Sequence, residues 1–432
     1  MDTARTPFKP VPEHPSFPEE EEKVLKYWNE IDAFHTQNEK TKDFPPYTFY
    51  DGPPFATGLP HYGHICAGTI KDVVTRYAVQ TGHSVERRFG WDCHGLPIEY
   101  EIDKLHDIKT RDQVLEVGIK QYNDWCRSIV MKYSGEWEQV VTRLGRWIDF
   151  KNDYKTMDLK FMESVWAVFK KIFDQKLVYR GAKIMPYSIG CSTVLSNFEA
   201  GQNYQEVFDP SVYAAFPLVN EPETSLVAWT TTPWTLPSNL ILCVNKDFDY
   251  VKVQDIKREK VLILAQCRLG DLYKKKDEYK ILDTFKGSVL EGKEYVPLFD
   301  YYVEKFHKRG AFRVLCAPHV TSDTGTGIVH TAPGFGADDY KICKQREIIE
   351  PHDPPAPVDP SGFFMDPISD YKGRYIKDKQ TEKDIMKAIK EKGRLIADGQ
   401  YKHSYPFCWR SEKPLIYKAV NTWFIKVTDV KD

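Results

Sequence analysis

A chain of 432 residues exceeds the usual share of one domain, and 41% hydrophobic with 28% charged residues is ordinary for a folded protein in water. A formal net charge of −2 excludes a global field for nucleic acid, so any such contact must come from local basic patches. No stretch approaches the roughly 18 apolar residues of a membrane span; the N-terminal MDTARTPFKPVPEHP lacks a signal-peptide core; and nine cysteines, an odd number without Cys-x-x-Cys, point to reduced thiols in a cytoplasmic setting.

In chain order, Ser16-Phe17-Pro18-Glu19 has the form of a capping box, and Val24, Tyr27, Trp28, Ile31 and Phe34 follow at helical spacing. One N-terminal helix, docked by its aromatic stripe, is expected within residues 1–45. Tyr47–Tyr50 reads as a short strand, broken by Gly52, Pro53, Pro54 and Gly58. A helix follows with Ile65, Ile70, Val73, Val74 and Tyr77 on one partly apolar face, stopping at Gly82. Ser84–Phe89 reads as the next strand and Gly90–Pro97, GWDCHGLP, as the loop beyond it, where open α/β sheets place their ligands. Lys104–Gly145 and Leu159–Lys176 read as helical, with Phe161, Val165, Trp166, Phe169 and Phe173 expected in the core. From about residue 195 to 400 the text turns to short strands: VYAAFPLV, SLVAWTTTPW, LILCV, YVKV, VLILA, FRVLCA and GIVHTA. Such a run indicates a barrel or compact sheet domain. EPHDPPAPVDPSG at 350–362 reads as a stiff surface loop. Tyr371–Lys413 holds 12 Lys/Arg against 6 Asp/Glu, a solvated helix face or a phosphate-contacting surface.

The chemistry concentrates in three places. His61, Gly63 and His64 stand where a strand-to-helix turn aims backbone N–H groups and the positive end of a helix dipole at an anion. Two imidazoles there can donate to phosphate oxygens, and Gly63 leaves room for a flat base. A zinc-protease helix needs His at i and i+4 with Glu between, and this spacing is different. Trp229–Asn239, WTTTPWTLPSN, ends a strand on three threonines, which alone is β-propensity. Gly325–Tyr340, GTGIVHTAPGFGADDY, is the third place.

The stretch His61-Tyr62-Gly63-His64 resembles the nucleotide-binding signature of class I aminoacyl-tRNA synthetases, with Tyr62 in a usually apolar slot. GPPFATGLP before it and GWDCHGLPIE at Gly90–Glu99 resemble the isoleucyl branch, eukaryotic cytoplasmic type. The resemblance implies an α/β fold: the first half of a doubly wound, Rossmann-like nucleotide-binding domain at 46–194, an inserted β-barrel-like editing domain at 195–400, and a return strand segment at 401–432. It implies ligation of isoleucine to its tRNA through an adenylate, with ATP as substrate accompanied by Mg2+. By the resemblance, Gly52, His61, Gly63 and His64 bind ATP, Pro53 walls the amino-acid pocket, and Asp92 pairs with the substrate ammonium. It also implies that Thr230, Thr231, Thr232, Asn239, His330 and Asp339 build a pocket hydrolysing mischarged valyl-tRNA, with Asp339 holding the free ammonium. Some bacterial relatives bind zinc at two Cys-x-x-Cys knuckles; the matching positions here are Ser188, Cys191, Cys408 and Ser411, so no structural zinc is expected. No segment matches the second class I signature, so the expectation is the N-terminal portion of a synthetase. A proofreading or tRNA-binding module without activation, a valine-specific relative, and a metalloprotein built on His61, His64, His94 and the cysteines are the competing readings.

Overall fold

The computed structural model describes residues 12–109 and 111–431. They divide into two compact units at Gln175/Lys176, ahead of the expected boundary at 194/195.

In the first unit the N-terminal helix is two helices, α1 (Phe17–Glu30) and α2 (Ala33–Thr41). They break at Asp32, which takes a left-handed φ of 47°. Ser16 precedes α1 without a side-chain cap, so the capping box does not form. Tyr47–Tyr50 is extended, not a strand. Pro46, just before it, makes an isolated parallel bridge to Ser84, across which Tyr47 N–H donates to the Ser84 carbonyl at 2.8 Å. Then come α3 (Tyr62–Gln80), β1 (Arg88–Trp91), α4 (Leu96–His106), α5 (Arg111–Val117), α6 (Ile119–Arg143), β2 (Asp149–Lys155) and α7 (Leu159–Asp174). The expected strand at 84–89 thus starts later and takes Gly90 and Trp91 from the expected loop. β1 and β2 run parallel, joined by the helical crossover that parallel pairing requires. Their core is Phe89, Trp91, Ile98, Val130, Trp137 and Val141.

Gly90 is fixed by this packing. A Cβ there would lie 2.2 Å from the Tyr154 ring on β2. Gly90→Ala should therefore lower the first unit's unfolding midpoint in urea by an amount equivalent to about 1–3 kcal/mol, the usual cost of overpacking. A Gly90→Ala/Tyr154→Ala double variant should lose less than the sum of the two single losses; strict additivity would mean the ring is not what forbids the methyl.

The aromatic stripe of α7 is not core. Phe161, Val165, Phe169 and Phe173 are exposed, and Trp166 is 63% exposed. The face of α3 that carries Ile70, Val73, Val74 and Tyr77 is exposed as well, while Thr75, Ala78 and Val79 face inward. Periodicity reports which residues share a face, not whether anything covers it.

The second unit opens with β3 (Val178–Ser188) and β4 (Thr193–Val194) and closes with β14 (Leu415–Ile425). β14 pairs with the whole of β3, from Leu415 opposite Ser188 to Ile425 opposite Val178. This ribbon is why the contact boundary falls before β3. Between them lie β5 (Tyr204–Pro217), β6 (Thr224–Thr230), β7 (Ile241–Val244), β8 (Asp249–Asp255), β9 (Lys260–Ala265), β10 (Tyr279–Lys286), β11 (Val314–Cys316), β12 (Ile328–Thr331) and β13 (Leu395–Pro406). These nine form one curled, mixed sheet. β6 carries β5 along one edge and shares the other between β9 and β12. Single-turn helices α8 (Asn197–Ala200), α9 (Leu269–Leu272) and α10 (Val303–Phe306), and the longer α11 (Ala337–Gln345) and α12 (Lys379–Glu391), complete the unit. α12 buries Ile385 and Ile389, and its exposed residues include Lys379, Lys383 and Lys390. That accounts for part of the basic excess.

All seven apolar runs of the sequence become strands. The proline-rich segment does not become a surface loop: Pro354, Pro355, Pro357 and Val358 are buried. Prolines bring no N–H that burial would orphan. A Cβ on Gly334 would strike the Pro355 carbonyl at 2.0 Å. Buried Lys418 on β14 donates to the carbonyls of Val358 and Asp359, and burial pushes its pKa down to about 8.

Candidate functional site

The first unit holds the histidine pair at the start of α3. His61 is the N-cap residue, and its Nδ1 accepts from Gly63 N–H at 3.1 Å. His64 Nδ1 accepts from His61 N–H at 3.3 Å, and the two rings stack with centroids 3.7 Å apart. Two backbone donors expected to face a ligand are therefore taken by the histidines. With each Nδ1 accepting, each neutral ring carries its proton on Nε2. Burial first, then the neighbouring His61 and Lys71, lower the His64 pKa. A lowered pKa favours the neutral ring, which carries a donor N–H on Nε2. The space at Gly63 is set by His61: a Cβ would lie 2.9 Å from the His61 ring. Trp137 holds the turn, donating from Nε1 to the Gly58 carbonyl at 2.7 Å and meeting the His64 ring edge-on.

A cluster that local reading missed lies beside this turn. Asp51 is buried; its carboxylate accepts from Lys71 at 2.5 Å and from Arg146 at 2.6 Å. Lys71 also reaches the Gly52 carbonyl at 3.4 Å. Two cations on one carboxylate leave a residual positive charge next to His64, suited to an anion. Its partners lie far off in sequence, 95 residues for Arg146, so no local pattern announces it.

Asp92 follows β1 directly. Its backbone N–H donates to the Pro54 carbonyl at 3.0 Å, in the parallel bridge from Phe55 to Asp92. The bridge holds Pro53 and Asp92 on adjacent strands of chain. Cys93 N–H donates to Thr156 Oγ1 at 2.9 Å, and Thr156 N–H to the Trp91 carbonyl at 3.1 Å, which pins the loop to the end of β2. The half-buried Asp92 carboxylate has one long contact, 3.4 Å from His94 N–H, and among the described residues no ion pair. An ammonium could therefore still be received there. Gly52, Pro53, His61, Gly63, His64 and Asp92 all belong to this unit.

In the second unit, β6 and β12 run side by side with Val329 opposite Trp229, which brings the WTTTPWTLPSN and GTGIVHTAPGFGADDY segments together. Tyr295 OH donates to Asn239 Oδ1 at 2.7 Å. Asn239 Nδ2 donates to His330 Nδ1 at 2.8 Å and to the Ile241 carbonyl at 3.0 Å. That leaves the His330 proton on Nε2, facing Thr235 Oγ1 at 3.1 Å. Thr235 donates to the Thr232 carbonyl at 2.8 Å, and the Thr232 and Thr230 hydroxyls lie 3.1 Å apart. Burial drives the His330 pKa down to about 4. His330 is therefore a neutral spacer with both ring nitrogens occupied, positioning the threonine turn. Thr231, half-buried, stands outside this chain of bonds. Tyr295 and Thr235 were not singled out from sequence.

Asp339 sits on the first turn of α11, where its Oδ2 accepts from Ala332 N–H at 2.8 Å. Burial pushes its pKa up to about 7, against the lowering pull of that N–H, and Asp338 adds to the rise. A carboxylate that ionises reluctantly gains from an incoming cation. Among the described residues no group of three or more potential metal-ligating side chains converges.

A parallel α/β unit with a His-x-Gly-His helix mouth, joined in one chain to a curled sheet unit, is the organisation of a class I synthetase. The family described as tRNA synthetases class I (I, L, M and V) matches residues 23–432, and the chain belongs to it. It is similar to the isoleucine–tRNA ligase of Tetrahymena thermophila, 63% identical over 430 residues, covering 99% of this chain and 40% of the relative. The cytoplasmic isoleucine–tRNA ligase of Mus musculus is 57% identical over 98% of this chain and 33% of its own length. That of Saccharomyces cerevisiae is 54% identical over 96% and 39%. The chain thus spans two fifths or less of the length of these relatives.

Proposed function

We propose that the full-length protein joins isoleucine to its cognate tRNA: the carboxylate attacks the ATP α-phosphate, pyrophosphate leaves, and the aminoacyl group passes to tRNA. The observation that carries this reading is the bridge between Phe55 and Asp92. It supports the reading because it ties the Asp92 carboxylate, which among the described residues has no ion pair, to the Gly/Pro turn that leads into the helix carrying the two imidazoles. Little covalent chemistry is asked of the protein; orientation and charge stabilisation dominate. Asp92 holds the substrate ammonium, Pro53 walls the side-chain pocket, and His61, His64 and the helix start receive the phosphates of ATP, which enters with its Mg2+ as substrate. Gly52 and Gly63 keep backbone and ring positions open. The names of the relatives favour isoleucine, and a cytoplasmic location is part of the proposal. Among the described residues no helix is long and apolar enough to cross a membrane.

The sheet unit is assigned to editing of valyl-tRNA. Binding alone separates side chains differing by one methylene only about 10–200-fold, a limit for which isoleucine against valine is itself the worked case. Thr230, Thr231 and Thr232 line the pocket, Asn239 and His330 position them, and Asp339 receives the free ammonium of the mischarged ester.

The test of activation is isoleucine-dependent pyrophosphate exchange by the full-length protein. Asp92→Ala should raise the isoleucine KM and lower kcat together, since the anchor both binds and orients the attacking carboxylate. Unchanged isoleucine kinetics in the variant would remove Asp92 from the site.

A further inference from the structure

Two cysteines that the proposed reactions do not use face each other in the second unit. Cys191 lies in the turn between β3 and β4, and Cys408 in the turn between β13 and β14. They are 217 residues apart in sequence, and their sulfurs are 3.9 Å apart. Each turn is held by its own bonds. Cys191 N–H donates to Ser188 Oγ at 3.2 Å, and Ser411 N–H reaches Cys408 Sγ at 3.5 Å. Cys408 N–H donates to the Lys413 carbonyl at 2.8 Å. The turns press together closely: a Cβ on Gly190 would lie 2.5 Å from Ser411 Oγ. Cys408 is buried and Cys191 partly exposed.

We infer that Cys191 and Cys408 are a reversible dithiol–disulfide pair that fastens the β3–β4 corner to the β13–β14 corner when the protein meets a peroxide. A disulfide needs sulfurs about 2 Å apart on suitably facing side chains. The present gap requires a change of side-chain torsion within two turns that already touch. The alternative use of the site, a tetrahedral metal, lacks the four nitrogen or thiolate donors it would need, because hydroxyls replace two of them.

The chemistry balances without further reagents. The two thiols share a hydrogen bond; Cys191 S–H donating to the Cys408 sulfur holds Cys408 below its ordinary value and raises Cys191. With Cys408 ionised the pair holds one proton, resting on Cys191; in the minor form with that proton on Cys408, Cys191 is the thiolate, and it is the partly exposed sulfur a small oxidant can reach. It attacks hydrogen peroxide: an S–O bond forms, the O–O bond breaks, and the leaving hydroxide takes a solvent proton to become water. Cys408, giving up its proton, attacks the Cys191 sulfur; the S–S bond forms, the S–O bond breaks, and hydroxide leaves with that proton as a second water. Two electrons pass from the pair to the peroxide. A thiol reductant reverses the bond by exchange.

The experiment is peptide mapping of the full-length protein under non-reducing conditions, before and after hydrogen peroxide. A Cys191–Cys408 cross-linked peptide should become the main form of both sites and disappear with dithiothreitol. Alkylation of Cys191 should fall about tenfold or more, while exposed Cys66 and Cys267 do not join the cross-link. The closed loop should also raise the thermal midpoint of the sheet unit, in the direction expected for a long cross-linked loop. In Cys408→Ser, peroxide should instead leave Cys191 as a sulfenic acid trapped by dimedone. Sulfinic acid at Cys191 in the parent without the cross-link, pairing of either cysteine with a different partner, or stoichiometric zinc on the untreated protein would each overturn the inference. The parent mapping decides the matter even where Cys408→Ser does not fold.

Discussion

His64→Ala in the full-length protein should reduce isoleucine-dependent pyrophosphate exchange by about 10²-fold or more, the scale of a lost donor to developing charge. Two effects combine. The Nε2 donor disappears, and the His61 N–H loses its acceptor at 3.3 Å, so the helix mouth loosens as well as emptying. His64→Asn separates them. A side-chain amide can accept from the His61 N–H and still donate outward, so this variant should retain more exchange than alanine. Because burial, then His61 and Lys71, lower the His64 pKa and so favour the neutral ring, activity should not fall as the pH rises through the ordinary histidine range. A steep loss between pH 6 and 7.5 would mean that the imidazolium is the working form. Exchange by His64→Ala within a few-fold of the parent would end the assignment.

The histidine turn was legible because everything it needs is local: His61, Gly63 and His64 make their bonds to one another across at most three residues. The strands at Leu226–Ala228, Ile241–Val244 and Leu262–Ala265 were legible because both faces are buried and the text is continuously apolar. β10 and β13 were not, since most residues of β10 and half of those of β13 are exposed and carry no alternation. The α7 stripe misled for the opposite reason. Phe161, Val165, Trp166 and Phe169 share a face, but sequence cannot say that nothing in this span covers it. Asp51 escaped notice because a lone aspartate before Gly-Pro-Pro looks like a turn residue, and only the tertiary fold brings Lys71 and Arg146 to it. Tyr295 and Thr235 reach His330 through a chain of bonds in which the Thr235 to His330 step alone spans 95 residues. Local text could mark the threonine run, but not what holds it.

Asp339→Ala in the full-length protein should abolish hydrolysis of valyl-tRNA for isoleucine, with a loss of about 10²-fold or more, as for removal of a charge-assisted anchor. Isoleucine activation should stay within a few-fold of the parent. The parent's pH profile carries a second signature. Its carboxyl is pushed up to about 7, so below that pH the empty pocket is mostly protonated and cannot attract an ammonium. kcat/KM for deacylation, which reports the free enzyme, should therefore rise with pH through about 7. It should fall again as the ester ammonium loses its own proton above the usual α-amino range of about 7.7–8.0. Asp339→Asn keeps the size and an acceptor for the Ala332 N–H but has no charge to titrate. Its residual activity should lack the rising limb. A variant that leaves the 2.8 Å Ala332 bond intact yet loses editing separates the charge from the structural contact. His330→Asn should act differently, because the two ring nitrogens of His330 are hydrogen-bonded to Asn239 and Thr235. It should weaken editing by displacing the threonine turn without changing the pH at which the parent's profile rises. Undiminished valyl-tRNA hydrolysis by Asp339→Ala, measured with uncharged tRNA and isoleucyl-tRNA as controls, would sink the role given to this carboxylate.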